Sequence, residues 1–288
     1  MSSDKEVTTR AKTGGGQGTL YLVSTPIGNL GDMTFRAVEV LASAALVIAE
    51  DTRHSRRLLD HFRINTPVSS YHEHNEAKET PRIVARLQAG DSIALISDAG
   101  TPLISDPGSR LVAAALEAGL RVVPVPGASS VMAALVGSGL SLDRFAFFGF
   151  LPRKGAERTT VLAEIVATHS TAVAFEAANR LAGTLEDLRD AGAGGRTVVV
   201  ARELTKQFEE FKRGTIAELA AVYRDAEPRG EVVLVVSGAE AREVSADELN
   251  AAASRLRADG KEPREVMQYL ISTLGASRNV AYRIAHSV

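Results

Sequence analysis

Residues 97–108 read Ser97-Asp98-Ala99-Gly100-Thr101-Pro102-Leu103-Ile104-Ser105-Asp106-Pro107-Gly108. They follow a short apolar run, Ser92–Ile96 (SIALI), and precede a helical pattern over Ser109–Ala118 that Gly119 closes. A buried strand, a long loop and a helix in that order make one unit of an open α/β sheet, and ligands in such sheets sit beyond the carboxyl ends of the strands. Two glycines and two prolines in twelve residues fix the loop's path and let a ligand approach backbone amides. Asp98 and Asp106 add carboxylates that accept hydrogen bonds from an amine or a hydroxyl. A plain turn with Asx caps uses the same residue types, but the length of this loop, and a similar one elsewhere, favour binding.

That other loop, Thr25-Pro26-Ile27-Gly28-Asn29-Leu30-Gly31-Asp32, follows the apolar run Thr19–Ser24 (TLYLVS). A third, Pro124–Ser130 (PVPGASS), joins the run Arg121–Val125 to a helical pattern over Ser129–Val136. Ser129 and Ser130 stand where one serine caps the helix and the other offers a hydroxyl to an anion at its N-terminus. Neither G-x-G-x-x-G nor G-x-x-x-x-G-K-[ST] occurs, which argues against a standard dinucleotide site and excludes a P-loop. The cluster Gly14-Gly15-Gly16-Gln17-Gly18 precedes the first strand instead of following one, and reads as the end of a flexible tail over 1–18.

Working outward, helical patterns at Thr34–Ala44, Ser55–Phe62 and Pro81–Gln88 alternate with strand-like runs, among them Ala45–Ala49 (ALVIA). Runs apolar on both faces, interleaved with helices, predict a parallel sheet covered on both sides. The texture changes at Phe145–Phe150 (FAFFGF), a strip suited to an edge strand, an interface or a lid. Beyond it, helices over 155–167, 179–191 and 215–225 alternate with strands Thr171–Phe175, Thr197–Ala201 and Glu231–Ser237. Residues 241–288 carry helical patterns only. The expected organisation is a tail over 1–18, an N-terminal αβ domain over 19–140, a second αβ domain over 141–240 and a helical C-terminal region over 241–288.

Composition narrows the function. With 33 basic and 35 acidic residues the net charge is −2, so no nucleic-acid field covers the whole surface. The absence of cysteine excludes a disulfide framework, a thiolate zinc site and a Cys nucleophile, and fits a cytoplasmic protein. No apolar run reaches the roughly 18–20 residues of a membrane span, and the polar N-terminus lacks the apolar core of a secretory signal. His72 and His74 are two apart and share a face if they lie on a strand; with no clear third ligand, no metal is expected. Basic residues gather locally. Arg53, Arg56 and Arg57 lie with Arg63, His54 and His61 in one segment, and Arg153 and Lys154 follow FAFFGF. Arg278 and Arg283 flank Tyr282 after the last acid, Glu265. Such groups suit contact with a nucleic-acid backbone or stacking on an unpaired base; each also reads as a solvated or packing face.

Several ordered stretches carry a resemblance: TPIGNLGD at Thr25–Asp32, EDTR at Glu50–Arg53, SYHEHNE at Ser70–Glu76, the loop 97–108, PVPGASS at Pro124–Ser130, GFLPRK at Gly149–Lys154, ARELT at Ala201–Thr205 and RGEVVLV at Arg229–Val235. Across about residues 19–240 the chain resembles the tetrapyrrole-methylase-like (class III) S-adenosylmethionine methyltransferases. Within them it is similar to the branch that 2′-O-methylates a cytidine ribose of small-subunit (16S) ribosomal RNA. The resemblance implies two αβ domains with an S-adenosylmethionine cleft between them, a homodimer, and rRNA or the 30S subunit as substrate. By motif, Pro26 would line the cleft floor, and Asp98, Ala99 and Thr101 would contact the cofactor. Ser129 and Ser130 would lie near its methionine or adenosine end, with Glu176, Ala177 and Glu231 added from the second domain. A ribose hydroxyl is a weak acid, and Glu50, Asp51, His72, His74 and Asp106 are the candidates for a general base. One departure stands out: Ala178-Asn179 precede Arg180 where the family pattern has Pro-His. A corrin-type C-methylase on the same fold and a non-catalytic ribosome-assembly factor are the alternatives; the basic segment 53–63 favours RNA over the former.

Overall fold

The computed structural model describes residues 16–226, 228–240 and 245–287, so most of the expected N-terminal tail lies outside the described residues. The chain divides into two compact units, one ending at Gly238 and the other beginning at Ala239.

The first unit is built on two five-stranded sheets. The first contains β1 (Thr19–Val23), β2 (Leu46–Ala49), β3 (Val68–Ser70), β4 (Ile93–Ile96) and β5 (Arg121–Val125), in the order β3-β2-β4-β1-β5. Every pairing is parallel, as the doubly apolar runs predict. Successive side chains point to opposite faces, and both faces are covered. Leu20, Ile48 and Leu95 pack with Ile83 and Leu87 of α3 (Glu76–Gln88) and Leu111 of α4 (Ser109–Glu117). Val23, Val47 and Ile96 pack with Ala37 and Leu41 of α1 (Phe35–Ser43) and Leu59 of α2 (Thr52–His61).

The second sheet holds β6 (Phe145–Phe150), β7 (Thr171–Ala177), β8 (Thr197–Arg202), β9 (Glu210–Thr215) and β10 (Glu231–Val236), in the order β6-β7-β10-β8-β9. Only β6 and β7 run parallel; the other pairings are antiparallel. One face packs under α6 (Gly155–Ala167), α7 (Leu181–Leu188) and α8 (Ile216–Arg224), through Leu162, Leu185 and Leu219. The other face receives α5 (Ser130–Ser138), whose Val131, Ala134 and Leu135 meet Val173, Val199 and Val235. The helix that ends the first αβ stretch in sequence therefore covers the second sheet, so the two stretches share a core across the expected boundary near residue 140.

Three local differences from the sequence reading have physical causes. Strands β3 (VSS) and β9 (EFKRGT) were not expected, since one is three residues long and the other is a polar edge. Helix α3 runs through exposed Pro81 instead of starting at it; the turn just before that proline is anchored where the Thr80 hydroxyl meets the buried Tyr71 hydroxyl at 2.8 Å. His72 and His74 lie in the turn between β3 and α3, not on a strand. The Asn75 side chain forces that turn: its Oδ1 accepts from the His72 amide at 2.9 Å, and its Nδ2 donates to the Ser70 carbonyl at 3.1 Å.

The second unit comprises α9 (Ala246–Ala258), α10 (Pro263–Ser272) and α11 (Arg278–Ser287). Its core joins Leu249 and Ala253, Val266 and Leu270, and Ala281 and Ala285. Capping boxes at Ser245/Glu248 and Glu262/Glu265 start the first two helices. Among the described residues, no helix is long and apolar enough to cross a membrane.

Candidate active site

The loops that leave β1, β4 and β5 at their carboxyl ends converge. Thr25 and Gly100 exchange backbone hydrogen bonds of 2.8 and 3.0 Å, tying the first loop to the second. The Thr101 hydroxyl lies 3.0 Å from that of Ser24 and donates to the Ala128 carbonyl at 3.2 Å, tying both to the third. The 97–108 loop is held in rare backbone: Leu103 and Ser105 have φ of 72° and 68°, alongside Gly100 and Gly108. A Cβ on Gly108 would meet Leu95 Cδ2 at 2.7 Å, so glycine is required there by space as well as by φ. Strain of this kind is kept where the surroundings over-determine it, often at ligand sites.

These loops form one wall of a cavity of about 360 Å³, through Ile27, Asp98, Ala99, Thr101, Ser129 and Ser130. The opposite wall comes from the second sheet, through Phe175, Glu176, Ala177, Glu231 and Val233, with Phe150 beside them. Sequence reasoning missed Ile27, an apolar residue inside the first loop, and Phe150, Phe175 and Val233, because nothing in an apolar strand marks which residue meets a ligand. Pro26 does not line the cavity; its neighbour Ile27 does, reaching into the core with α5. Ser129 caps α5 by accepting from the Met132 amide at 3.4 Å, while Ser130 makes no side-chain hydrogen bond among the described residues.

Besides Glu176 and Glu231 of the opposite wall, three carboxylates line the cavity from the first sheet's loops: Glu50, Asp98 and Asp106. Burial and then the nearby Glu50 charge push Asp106 up to about 6. Glu50 is also raised, by burial and then by Asp98, against the pull of His72. Asp51 serves otherwise. Its carboxylate accepts from the Arg53 and His54 amides at 2.8 and 3.3 Å, capping α2, and these bonds lower its pKa. Its own amide donates to Asp98 Oδ1 at 3.1 Å, which positions that carboxylate. His72 and His74 stand outside the cavity lining, ring centroids 6.0 Å apart.

Glu176 reaches the cavity by its position in β7, but its fully buried carboxylate is engaged. It pairs with Arg180, stands 3.7 Å from Arg158, and accepts from the Thr184 hydroxyl at 2.5 Å and the Ala177 amide at 2.7 Å. In the departing stretch, Ala178 packs on the second sheet's core, Asn179 is exposed, and Arg180 also donates to the Leu151 carbonyl. Glu231 pairs with Lys206 at 3.2 Å, and Lys206 also meets Glu203 at 3.0 Å and lies against Gly28 of the first loop. Lys206 thus links the loop after β1 to the far wall.

The family model of the tetrapyrrole (corrin/porphyrin) methylases matches residues 19–220, the stretch that builds nearly all of this cavity. The chain belongs to the tetrapyrrole methylase family. Relatives called "Ribosomal RNA small subunit methyltransferase I" include one from Synechocystis, 52% identical over 77% of this chain and 80% of its own. Another, from Micromonospora olivasterospora, is 45% identical over 95% of this chain and 88% of its own. Among solved structures, the cobalt precorrin-4 methyltransferase CbiF superposes with a TM-score of 0.59 at 18% identity, covering 76% of this chain and 94% of its own. The uroporphyrin-III C-methyltransferase of Thermus thermophilus gives 0.56 at 22%, covering 77% and 94%; both likenesses concern the fold.

As a tetrapyrrole methylase, the chain has a cavity suited to its family's sulfonium cofactor. Its volume falls in the roughly 300–1,000 Å³ range of small-ligand sites. The carboxylates of Glu50, Asp98 and Asp106 favour a bound cation, and apolar Ile27, Phe175 and Val233 bury the uncharged parts. The basic residues lie elsewhere on the surface. Arg53 and Arg57 on α2 are exposed and Arg56 is partly so; Arg53 approaches Asp51 at 3.7 Å, an exposed pair of little energetic weight. Arg153 and Lys154 are exposed just after β6. Arg278 and Arg283 belong to the second unit.

Proposed function

We propose that this protein is an S-adenosylmethionine-dependent methyltransferase that methylates the 2′-hydroxyl of a cytidine in small-subunit rRNA. What carries the reading is one coincidence: a cavity of cofactor size holding a raised carboxylate, in a chain about half identical to relatives named for small-subunit rRNA methylation.

The cofactor supplies a methyl group on a sulfonium, already a good leaving group, so no metal is called for. Asp98, oriented by the Asp51 amide, Thr101 and Ser130 hold polar parts of the ligand. Ile27, Phe175 and Val233 exclude water around it. Asp106 is the group we assign to take the ribose proton. Its pKa near 6 leaves it ionised at neutral pH, yet more basic than an ordinary carboxylate. Burial first, and then like-charge repulsion from Glu50, keep it more basic. Holding the hydroxyl oxygen in line with the methyl carbon and its sulfur, with the base beside the hydroxyl proton, would supply roughly 7–11 kcal/mol of the barrier reduction. Asp51 belongs to the scaffold in this scheme, as the cap of α2.

The RNA approaches over Arg53, Arg56 and Arg57 on one side and Arg153 and Lys154 on the other, with exposed Phe150 at the cavity edge as a stacking surface. The substrate is rRNA in the cytoplasm, alone or in the 30S subunit. The homodimer implied by the resemblance belongs to the same reading. Met132 and Val136 on the open side of α5, with Phe145, are apolar surface available to a second copy.

The test is transfer of labelled methyl groups to small-subunit particles and to naked rRNA, followed by nucleoside analysis. Label in a cytidine ribose supports the reading. No incorporation on either substrate, with cofactor binding intact, overturns it, and label in a base overturns the 2′-O assignment.

A further inference from the structure

The second unit carries a concavity of its own. It has a volume of about 520 Å³ and is lined by Met267 of α10 and by Arg278, Asn279, Tyr282 and Arg283 of α11. Its origin lies in helix periodicity. Ala281, Ile284 and Ala285 turn into the core, so residues 278, 279, 282, 283 and 286 share the outward side.

That side has a specific chemistry. Tyr282 is 57% exposed, a large aromatic surface left in water. The His286 ring lies against it, with centroids 4.3 Å apart and planes at 31°, and His286 Nδ1 is 2.9 Å from the Tyr282 carbonyl oxygen. The phenol ring is therefore held in place with its other face open. Arg278 and Arg283 form no ion pair among the described residues, and no acidic residue follows Glu265 in the chain. The Asn279 amide adds one acceptor and two donors. An open aromatic face, two uncompensated guanidinium groups and an amide within one concavity match an unpaired nucleotide: base on ring, phosphates on arginines, base edge on amide.

We propose that this concavity is a second RNA site, which captures one unpaired nucleotide of the substrate strand independently of the methyl-transfer cavity. The proposal rests on the RNA-methylation reading for its ligand class, but its test does not depend on methylation.

The chain has no tryptophan, so Tyr282→Trp places a single indole in the site. In the full-length protein, a single-stranded oligoribonucleotide should quench that indole saturably, whereas inorganic polyphosphate, which has charge but no bases, should not. Tyr282→Ala should weaken oligoribonucleotide binding roughly tenfold. Arg278→Gln with Arg283→Gln should flatten the slope of log affinity against log salt by about 1.4, at about 0.7 per phosphate contact. Calorimetry should show cofactor affinity unchanged, and circular dichroism the same helix content, in all of them. Absence of quenching, equal quenching by polyphosphate, or wild-type RNA binding by both the alanine and the glutamine variants would overturn the proposal. So would an indole signal that follows protein concentration without RNA, which would mean a second copy of the chain covers the concavity. Quenching without methyl incorporation would refute the function and leave this site standing; methylation with unaltered binding in the variants would do the reverse.

Discussion

Replacing Asp106 with Asn separates what this carboxylate does for the reaction from what it costs the fold. Asp106 lies in the cavity wall near Glu50 and Asp98, and its pKa rises from near 3.8 to about 6, by burial first and the Glu50 charge second. A folded-state pKa above the unfolded one means that the protonated form is favoured in the fold. The stabilisation is complete below about pH 3.8 and is lost as pH rises through about 6. At about 1.36 kcal/mol per pH unit the full loss would be about 3 kcal/mol. Solvent reaching the cleft screens part of it, so we expect about 1–2 kcal/mol. Asparagine stays neutral throughout. Urea unfolding should therefore find Asp106→Asn more stable than wild type by about 1–2 kcal/mol at pH 8, with the difference shrinking towards zero near pH 4. Methyl transfer should fall by about 10²–10⁴, and the wild-type rate should rise with pH to about 6 and then level. A stability difference that does not change with pH would refute the burial argument. An undiminished rate in the variant would refute the assignment of Asp106 as base.

Asp98→Ala should weaken cofactor binding at least tenfold in calorimetry while the fold survives, since Asp98 lines the cavity and accepts from the Asp51 amide; unchanged affinity would remove Asp98 from the site. Arg158→Met leaves buried Glu176 with Arg180 as its one remaining cation, so denaturant unfolding should show a loss of about 2–3 kcal/mol, below the roughly 3–5 kcal/mol for a buried charge stripped of its sole partner. Arg56→Glu combined with Arg57→Glu should lower rRNA affinity more than tenfold at low salt and leave cofactor affinity alone. Equal RNA binding by that double variant would make α2 a plain solvated face.

Much of the fold is legible in the chain because strand, loop and helix alternate with clear punctuation. Ile93–Ile96 (IALI) and Ala45–Ala49 (ALVIA) are apolar at every position, and such runs belong to strands buried on both sides. The polar edge β9 carries no such signal: its residues are mostly polar and half-buried on an outer strand, where hydrogen bonding to β8 defines it. Helix α5 was legible as a helix but not in its placement. Its sequence, SVMAALVGS, is apolar nearly all round, so periodicity assigns it no inner face. Only the packed second sheet shows that Val131, Ala134 and Leu135 are the inner side.

The same division holds at the site. Asp98, Asp106, Thr101 and the two serines were visible because loops rich in glycine and proline, placed after apolar strands, mark where a parallel sheet takes its ligand. Among Glu50, Asp51, His72, His74 and Asp106 the chain alone offered no choice, since one-dimensional spacing says nothing about which polar groups face a common space. Tertiary structure sorted them: Asp51 turns back to cap α2, the histidines fall outside the cavity lining, and Glu50 and Asp106 both line it, close enough for the Glu50 charge to raise the Asp106 pKa. Local pattern determined the elements and the loops, because both arise from neighbours in sequence. The direction of each carboxylate, and the water and charge around it, depended on strands brought together from tens of residues apart.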